Sequence, residues 1–433
     1  VANQNIFCNT PWYEAHIYWD GSLGICCQES RKLYNQNQKF NIKDMTLADW
    51  FNSEPVRQLR KSVLSDVPTD VCNRCYNEES LVGTSRRHRS NQKSVIFTRT
   101  AFQASFEQSP GRQHFTNDGI TDTMPIDLHV DLGNYCNLAC KMCWSGASSR
   151  IATQMVKWGH EDHRQYLGND WTKDSTTWTR FLKEILAIPK FKNIHFMGGE
   201  TLITDRFEQF VDFMIDHQRF DICMSFVTNG TTFNESIINK LKRFARVGIE
   251  VSIESITPHN DYVRQGTDTQ VVLENIQRYQ QHCNGSSITL TVRPAISALT
   301  VGYYHTLIKY CLEQRLLIKS LLVTNPTCLN VNVLPLSVRT QYKEKYLELL
   351  DSVSEIDVSS DYNESDPNNY LQSIKIQLVQ AITALEEPTQ EHLLKDLVDM
   401  CRQWDNEFKF DALKLYPELA DIFTQYGYQN LPN

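Results

Sequence analysis

The sequence predicts an α/β chain: an open, partial (β/α)6 barrel, preceded by a small cysteine-rich domain and followed by a helical segment. Three observations carry that expectation. Between residues 126 and 324, short apolar runs alternate with longer amphipathic stretches, the pattern of a parallel sheet. Polar and glycine-containing residues recur at the carboxyl ends of those runs, where such sheets collect ligands. Eight of the 13 cysteines fall within the first 143 residues, so they mark a place instead of being scattered through a core.

The strands are expected, in order, at Ile126–Asp131, Asn193–Met197, Ile222–Thr228, Gly248–Glu254, Ser287–Arg293 and Ile318–Thr324. β-branched and aromatic residues dominate them, and Gly, Asn or Asp punctuate their ends. Helices are expected at Thr176–Ala187, Asp205–His217, Glu235–Phe244, Val271–Cys283 and Tyr303–Gln314, each with one apolar face. Beyond the barrel, Gln341–Ser354, Tyr370–Leu385 and Gln390–Glu407 read as helices, with an exposed loop from Ser359 to Asn369. The domain boundaries are therefore placed at 1–90, 91–122 (a linker), 123–335 (the barrel) and 336–433.

Length and composition agree. A chain of 433 residues exceeds a single typical core, and no run approaches the apolar length of a membrane span. So many thiols without a signal peptide point to a reducing cytoplasm. Residues 341–433 hold 18 acidic against 7 basic side chains, a net of −11, which leaves the rest of the chain at +3. The tail is thus an acidic satellite, read as a solvated helical cap or as a docking element. Upstream, Arg86, Arg87, His88 and Arg89 with Lys93 and Arg99 form a basic run in the expected linker. Clustered arginines can hold phosphates, although a solvated charge run is the plainer reading. Overall acidity argues against a large polyanionic partner.

The run Cys136-Asn137-Leu138-Ala139-Cys140-Lys141-Met142-Cys143 follows the first strand. Three thiolates on a tight loop can hold three irons of a [4Fe–4S] cube and leave the fourth iron without a protein ligand. An open iron can chelate the amino and carboxylate groups of S-adenosylmethionine and pass an electron to its sulfonium. Three buried structural thiols are the plain alternative. The second strand then runs into Gly198-Gly199-Glu200-Thr201, where glycines permit close backbone approach and a carboxylate can accept from an ammonium.

With both motifs in this order, the chain resembles the radical S-adenosylmethionine (radical SAM) superfamily. The resemblance implies a TIM-like partial barrel, reductive cleavage of S-adenosylmethionine to a 5′-deoxyadenosyl radical, and hydrogen abstraction from a substrate carbon. It implies that Glu200 binds the methionyl amino group, with Gly198 and Gly199 shaping its approach, and that Ser252 and Glu254 contact the ribose. Glu254 departs from the more frequent Asp. Thr228 and Asn229 end the third strand as a cofactor contact or as a plain turn. Arg293 pairs with the methionyl carboxylate or forms a structural ion pair. Met142 stands where the family often has an aromatic residue.

The N-terminal segment resembles the auxiliary-cluster domain known as SPASM, or its truncated form twitch. Cys8, Cys26, Cys72 and Cys75 would ligate one auxiliary [4Fe–4S] cluster, with Asp20-Gly21 turning a hairpin between the first two. Cys27 rivals Cys26, and tetrahedral zinc on the same thiolates is the competing reading. Such a domain usually follows the barrel; here it precedes it. Cys223, Cys283, Cys311, Cys328 and Cys401 read as small buried hydrophobes. The architecture suggests a peptide or protein side chain as substrate, with the auxiliary cluster as electron acceptor and a flavodoxin or ferredoxin as low-potential donor. A small molecule, such as an aminosugar or nucleotide, and an RNA base are the alternatives.

Overall fold

The computed structural model describes residues 6–29, 32–35, 38–82, 85–93, 118–121, 124–188, 191–353 and 369–428. Most of the expected linker, including Arg99, and all but the last residue of the expected 359–369 loop lie outside these residues. The chain divides into two compact units, residues 1–135 with 159–224 and residues 136–158 with 225–433.

The first unit holds strands β1 (Glu14–Ile17), β2 (Leu23–Gly24), β3 (Asp127–Asp131) and β4 (Asn193–Met197), in the order β4-β3-β1-β2. β1 and β4 both run parallel to β3, and β2 closes an antiparallel hairpin with β1. Register explains the alternation of apolar and polar residues. Ala15, Leu128 and Ile194 stand in one row and Ile17, Val130 and Phe196 in another, and all six are buried. The helices Ser175–Ala187 and Asp205–Asp216 add to that core, with Phe207 and Phe210 meeting the Phe196 ring edge-on at 5.3 and 4.9 Å. The cysteine-rich segment contributes β1 and β2 to this sheet. Its first strand pairs with the first barrel strand over four residues, because a short hairpin alone buries too little to be stable.

The second unit holds most of β5 (Cys223–Thr228), then β6 (Arg246–Val251), β7 (Ile288–Val292) and β8 (Leu317–Ile318), in the order β8-β7-β6-β5. β7 runs parallel to both β6 and β8. The sixth strand is shorter than its expected span, Ile318–Thr324. After Ile318 the Ser320 hydroxyl and amide turn to Gln377, and Leu321–Leu322 pairs separately with Ala295–Ile296. Cys283, Cys311, Cys328 and Cys401 are buried as expected, while Cys223, at the start of β5, is half-buried.

The C-terminal helices span Leu336–Ser352, Tyr370–Glu386 and Leu394–Phe408. The first starts five residues earlier than expected, directly after Pro335, which suits a helix entry and disfavours its continuation backwards. Arg339 is buried and joins two of these helices. It donates to the carbonyls of Leu334, Leu385 and Glu387 at 2.7–2.9 Å and to the Thr389 hydroxyl. Arg339→Met keeps the bulk and removes every donor, so it is expected to cost about 3 kcal/mol of stability in urea unfolding. A loss below about 0.5 kcal/mol would mean that water serves those carbonyls equally well.

Candidate active site

In the second unit the cysteine loop is gathered around its own thiols. Cys136, Leu138 and Cys140 form a buried cluster, and Met142 and Cys143 pack against it. Burial pushes the Cys140 thiol well up and the Cys143 thiol up to about 12, and each is raised further by its neighbours' charge. Metal must therefore displace protons to bind, and a positive charge nearby eases that exchange.

The loop is shaped from inside and from one neighbouring segment. Inside, the Cys136 amide donates to Ser149 Oγ at 3.3 Å, and the Leu138 amide lies 3.4 Å from Cys136 Sγ. Ser148 Oγ donates to the Leu138 carbonyl at 2.9 Å and caps the helix Ser149–Lys157 by accepting from the Ile151 amide. From outside, Arg264 and Gln265 pair antiparallel with Cys140 and Ala139. The Lys141 amide donates to the Val263 carbonyl and its ammonium to the Tyr262 carbonyl, both at 2.8 Å.

Two cations flank the thiols. The Arg264 guanidinium grips Glu254 with two nitrogens and brings Nη1 to 3.8 Å from Cys140 Sγ. Lys141 points the other way, its ammonium 3.7 Å from the Tyr262 ring centroid and 4.7 Å from that of Trp404. Burial lowers its pKa to about 8. Trp404 belongs to the acidic tail and packs with Ala139 and Ile151, so the tail backs the cysteine loop. Arg264 and Trp404 were not singled out from sequence, since neither lies in a motif. The one clue to Lys141 was its place between two ligand cysteines.

The strand-end residues fall around this loop. The turn that closes β5 is tied to it: Asn229 Nδ2 donates to Asn137 Oδ1 at 2.7 Å, and Asn137 Nδ2 donates to Thr231 Oγ1 at 2.9 Å. Thr228 is buried, its hydroxyl accepting from the Gly230 amide and its carbonyl from the Ser252 amide. Glu254, expected at the ribose, has both oxygens engaged by Arg264 and one also by the Ala295 amide at 3.2 Å. A buried carboxylate needs such a counter-charge, and its geometry here is that of a partner orienting Arg264. Arg293 forms the structural ion pair with Glu250 of β6.

In the first unit, Gly198 and Gly199 take φ of +78° and +58°. A Cβ on Gly199 would lie 2.1 Å from the Tyr135 carbonyl oxygen. These glycines are demanded by the chain segment that leads into Cys136, in addition to any ligand. Glu200 is buried; its amide donates to the Tyr135 carbonyl at 2.8 Å and its carboxylate accepts from the Leu202 amide at 3.1 Å.

The same unit brings Cys8, Cys26, Cys72 and Cys75 to the wall of one cavity, together with Arg86 and Arg87. Gly21, at φ +85°, turns the hairpin and so delivers Cys26 two residues beyond β2. Cys72 ends a short helical turn and Cys75 lies within the helix Asn73–Val82 that follows, which sets the two about one turn apart. Cys27 is not part of the cavity wall. Burial pushes the Cys8 thiol up to about 12. Four thiols and two guanidiniums thus line one space, the donor chemistry an anionic four-thiolate cluster needs, although among the described residues no three His, Cys, Asp or Glu side chains are already gathered as a metal-holding group.

The basic run is not an exposed linker. Arg86–Lys93 is a helix, and its first two arginines turn inward. Arg86 Nη2 bonds both oxygens of Glu14, at 2.7 and 2.6 Å. Arg87 bonds Glu79 and the Phe7 carbonyl at 2.9 and 3.0 Å. Arg89 stays exposed.

Two outcomes follow for variants. Gly199→Ala is expected to lose about 2–4 kcal/mol in urea unfolding. Gly168→Ala, also at positive φ but with nothing within 4 Å of its Cβ, should lose only about 1 kcal/mol; equal losses would show that the Tyr135 contact is not limiting. Arg264→Met is expected to cut the iron retained by the Cys136 loop at least twofold after anaerobic reconstitution, with Arg264→Lys intermediate. Iron content equal to wild type in Arg264→Met would contradict the counter-charge role.

Two sequence-family models match parts of this chain. The sequence model of the radical SAM superfamily matches residues 130–297, and that of SPASM, an iron–sulfur cluster-binding domain, matches residues 8–76. Among solved structures, anSMEcpe with bound AdoMet and Cp18Cys peptide is 15% identical, over 53% of this chain and 61% of that one, with a TM-score of 0.36. SuiB of Streptococcus suis bound to S-adenosylmethionine is 11% identical, over 70% of this chain and 68% of that one, with a TM-score of 0.34. SuiB bound to its precursor peptide SuiA is 12% identical, over 75% and 76%, with a TM-score of 0.36. The chain thus spans about three fifths of the anSMEcpe chain. No curated protein matches it, and no helix among the described residues is long and apolar enough to cross a membrane. The loop of Cys136, Cys140 and Cys143 thus lies within the segment that matches the radical SAM superfamily model, and the cavity of Cys8, Cys26, Cys72 and Cys75 within the segment that matches the SPASM model.

Proposed function

We propose that the enzyme oxidises a carbon of a peptide or protein side chain, with the auxiliary cluster as electron acceptor. The observation that carries this reading is the complete set of four cysteines around the auxiliary cavity. A cluster held by four thiolates has no open iron with which to bind substrate, so electron transfer is the role left to it. When bound, the cluster on Cys136, Cys140 and Cys143 and S-adenosylmethionine supply a 5′-deoxyadenosyl radical that takes hydrogen from the substrate.

The chain's own residues prepare that chemistry. Arg264, oriented by Glu254, sets a positive charge beside Cys140. The Thr228–Thr231 turn fixes Asn137 inside the cysteine loop. Glu200 is assigned the methionyl ammonium, in keeping with its buried carboxylate. A nucleic-acid substrate lacks support, since Arg86 and Arg87 are spent on Glu14 and Glu79 and the chain carries a net charge of −8.

Anaerobic incubation with S-adenosylmethionine and dithionite is expected to yield methionine and 5′-deoxyadenosine, and Cys140→Ala should abolish both. Cys72→Ala/Cys75→Ala should keep 5′-deoxyadenosine formation and lose oxidised product, read by mass spectrometry of candidate peptides as a missing loss of two hydrogens. Oxidised product from that double variant, or turnover confined to small molecules, would overturn the proposal.

A further inference from the structure

We propose that Arg86, braced by Glu14, sets the reduction potential of the auxiliary cluster. This rests on reading the cavity of Cys8, Cys26, Cys72 and Cys75 as that cluster's site. Arg86 lines the cavity beside the four cysteines, on a helix whose sequence reads as a solvated basic run. Its guanidinium is anchored at one end only. Nη2 bonds both Glu14 oxygens and lies 3.4 Å from His129 Nε2, while its Nε is buried with no hydrogen-bond partner among the described residues. A buried N–H without an acceptor is costly, and here it belongs to a cation on the wall of a thiol-lined space. A thiolate or sulfide sulfur would satisfy it.

The bracing is itself unusual. Glu14 is 1% exposed and sits on β1, which is locked in register against β3. Its charge holds Arg86 more firmly protonated than a free arginine. The second arginine differs in kind. Arg87 is fully engaged by Glu79 and the Phe7 carbonyl, which is the arrangement of a structural tie. Arg86 is the cation with donor capacity to spare.

A four-thiolate cube gains negative charge when reduced, so an adjacent guanidinium favours the reduced form, and a charge-assisted hydrogen bond to sulfur adds to this. Removing the cation should lower the potential. Removing the opposing carboxylate should raise it. Arg86 is thus a positioning residue for electron transfer, its half-buried charge held beside the auxiliary site by the buried Glu14.

The test uses the full-length chain with Cys136, Cys140 and Cys143 changed to Ala, so that only the auxiliary cluster remains. Iron and sulfide analysis of this parent tests the underlying reading by itself: zinc, or no cluster, would end that reading before any potential is measured. Electron paramagnetic resonance through a redox titration then tests the proposal. Arg86→Gln is expected to shift the reduction equilibrium about tenfold toward the oxidised form, or roughly 59 mV for a one-electron couple. Arg86→Lys should stay near the parent, and Glu14→Gln should shift the opposite way. An unchanged potential in Arg86→Gln, or Arg86→Lys behaving like Arg86→Gln, would overturn it.

Discussion

The clamp of residues 262–265 on the centre of the cysteine loop is the constraint from which the active site follows. Three thiols within a run of eight residues have many ways to arrange themselves. The antiparallel pairing of Arg264 with Cys140, the Lys141 amide on Val263 and the Lys141 ammonium on Tyr262 remove most of that freedom. What remains is closed by Ser148, which binds the Leu138 carbonyl while capping the next helix. A loop fixed from both sides holds its three cysteines in a set arrangement, and those three residues would hold the cluster that supplies the radical chemistry.

The two cysteine sites share an electrostatic plan. Each pairs a fully buried glutamate with an arginine that also faces the thiols: Glu254 with Arg264 at Cys140, and Glu14 with Arg86 at the auxiliary cavity. Burying a carboxylate is costly unless a cation accompanies it, and here the accompanying cation also faces cysteine side chains. The glutamates thus act at a distance, by holding charge in place. Glu254, which the superfamily resemblance assigns to the ribose, has Arg264 as its partner in this structure.

Much of the fold was legible in the sequence because the period of two in β3 and β4 and the amphipathic helices between strands are local signals. The gathering of Cys136, Cys140 and Cys143 on one loop, and of Cys8, Cys26, Cys72 and Cys75 on one cavity wall, accords with the spacing read from sequence. What the sequence concealed is long-range. That β1 would pair with β3 across more than a hundred residues has no local sign, so the cysteine-rich segment looked like a separate domain. Arg86 looked like a solvated charge because its partner, Glu14, lies 72 positions away. Trp404 reaches Lys141 from the acidic tail, and a tail with that charge reads as solvent-facing until the one apolar face of its helix is placed. The sixth strand failed for a different reason: Leu321 and Leu322 have strand chemistry, but Gln377 captures Ser320 before the run can continue.

The claim on which all of this depends is that Cys136, Cys140 and Cys143 would together hold an iron–sulfur cluster that binds S-adenosylmethionine. Electron–nuclear double resonance of the reduced protein, with the cosubstrate carrying 15N at its amino group and 17O at its carboxylate, measures that contact. The account predicts hyperfine coupling from both labels, present when the auxiliary cysteines are replaced and absent when Cys140 is. A reduced cluster on this loop that shows coupling to neither label would contradict it.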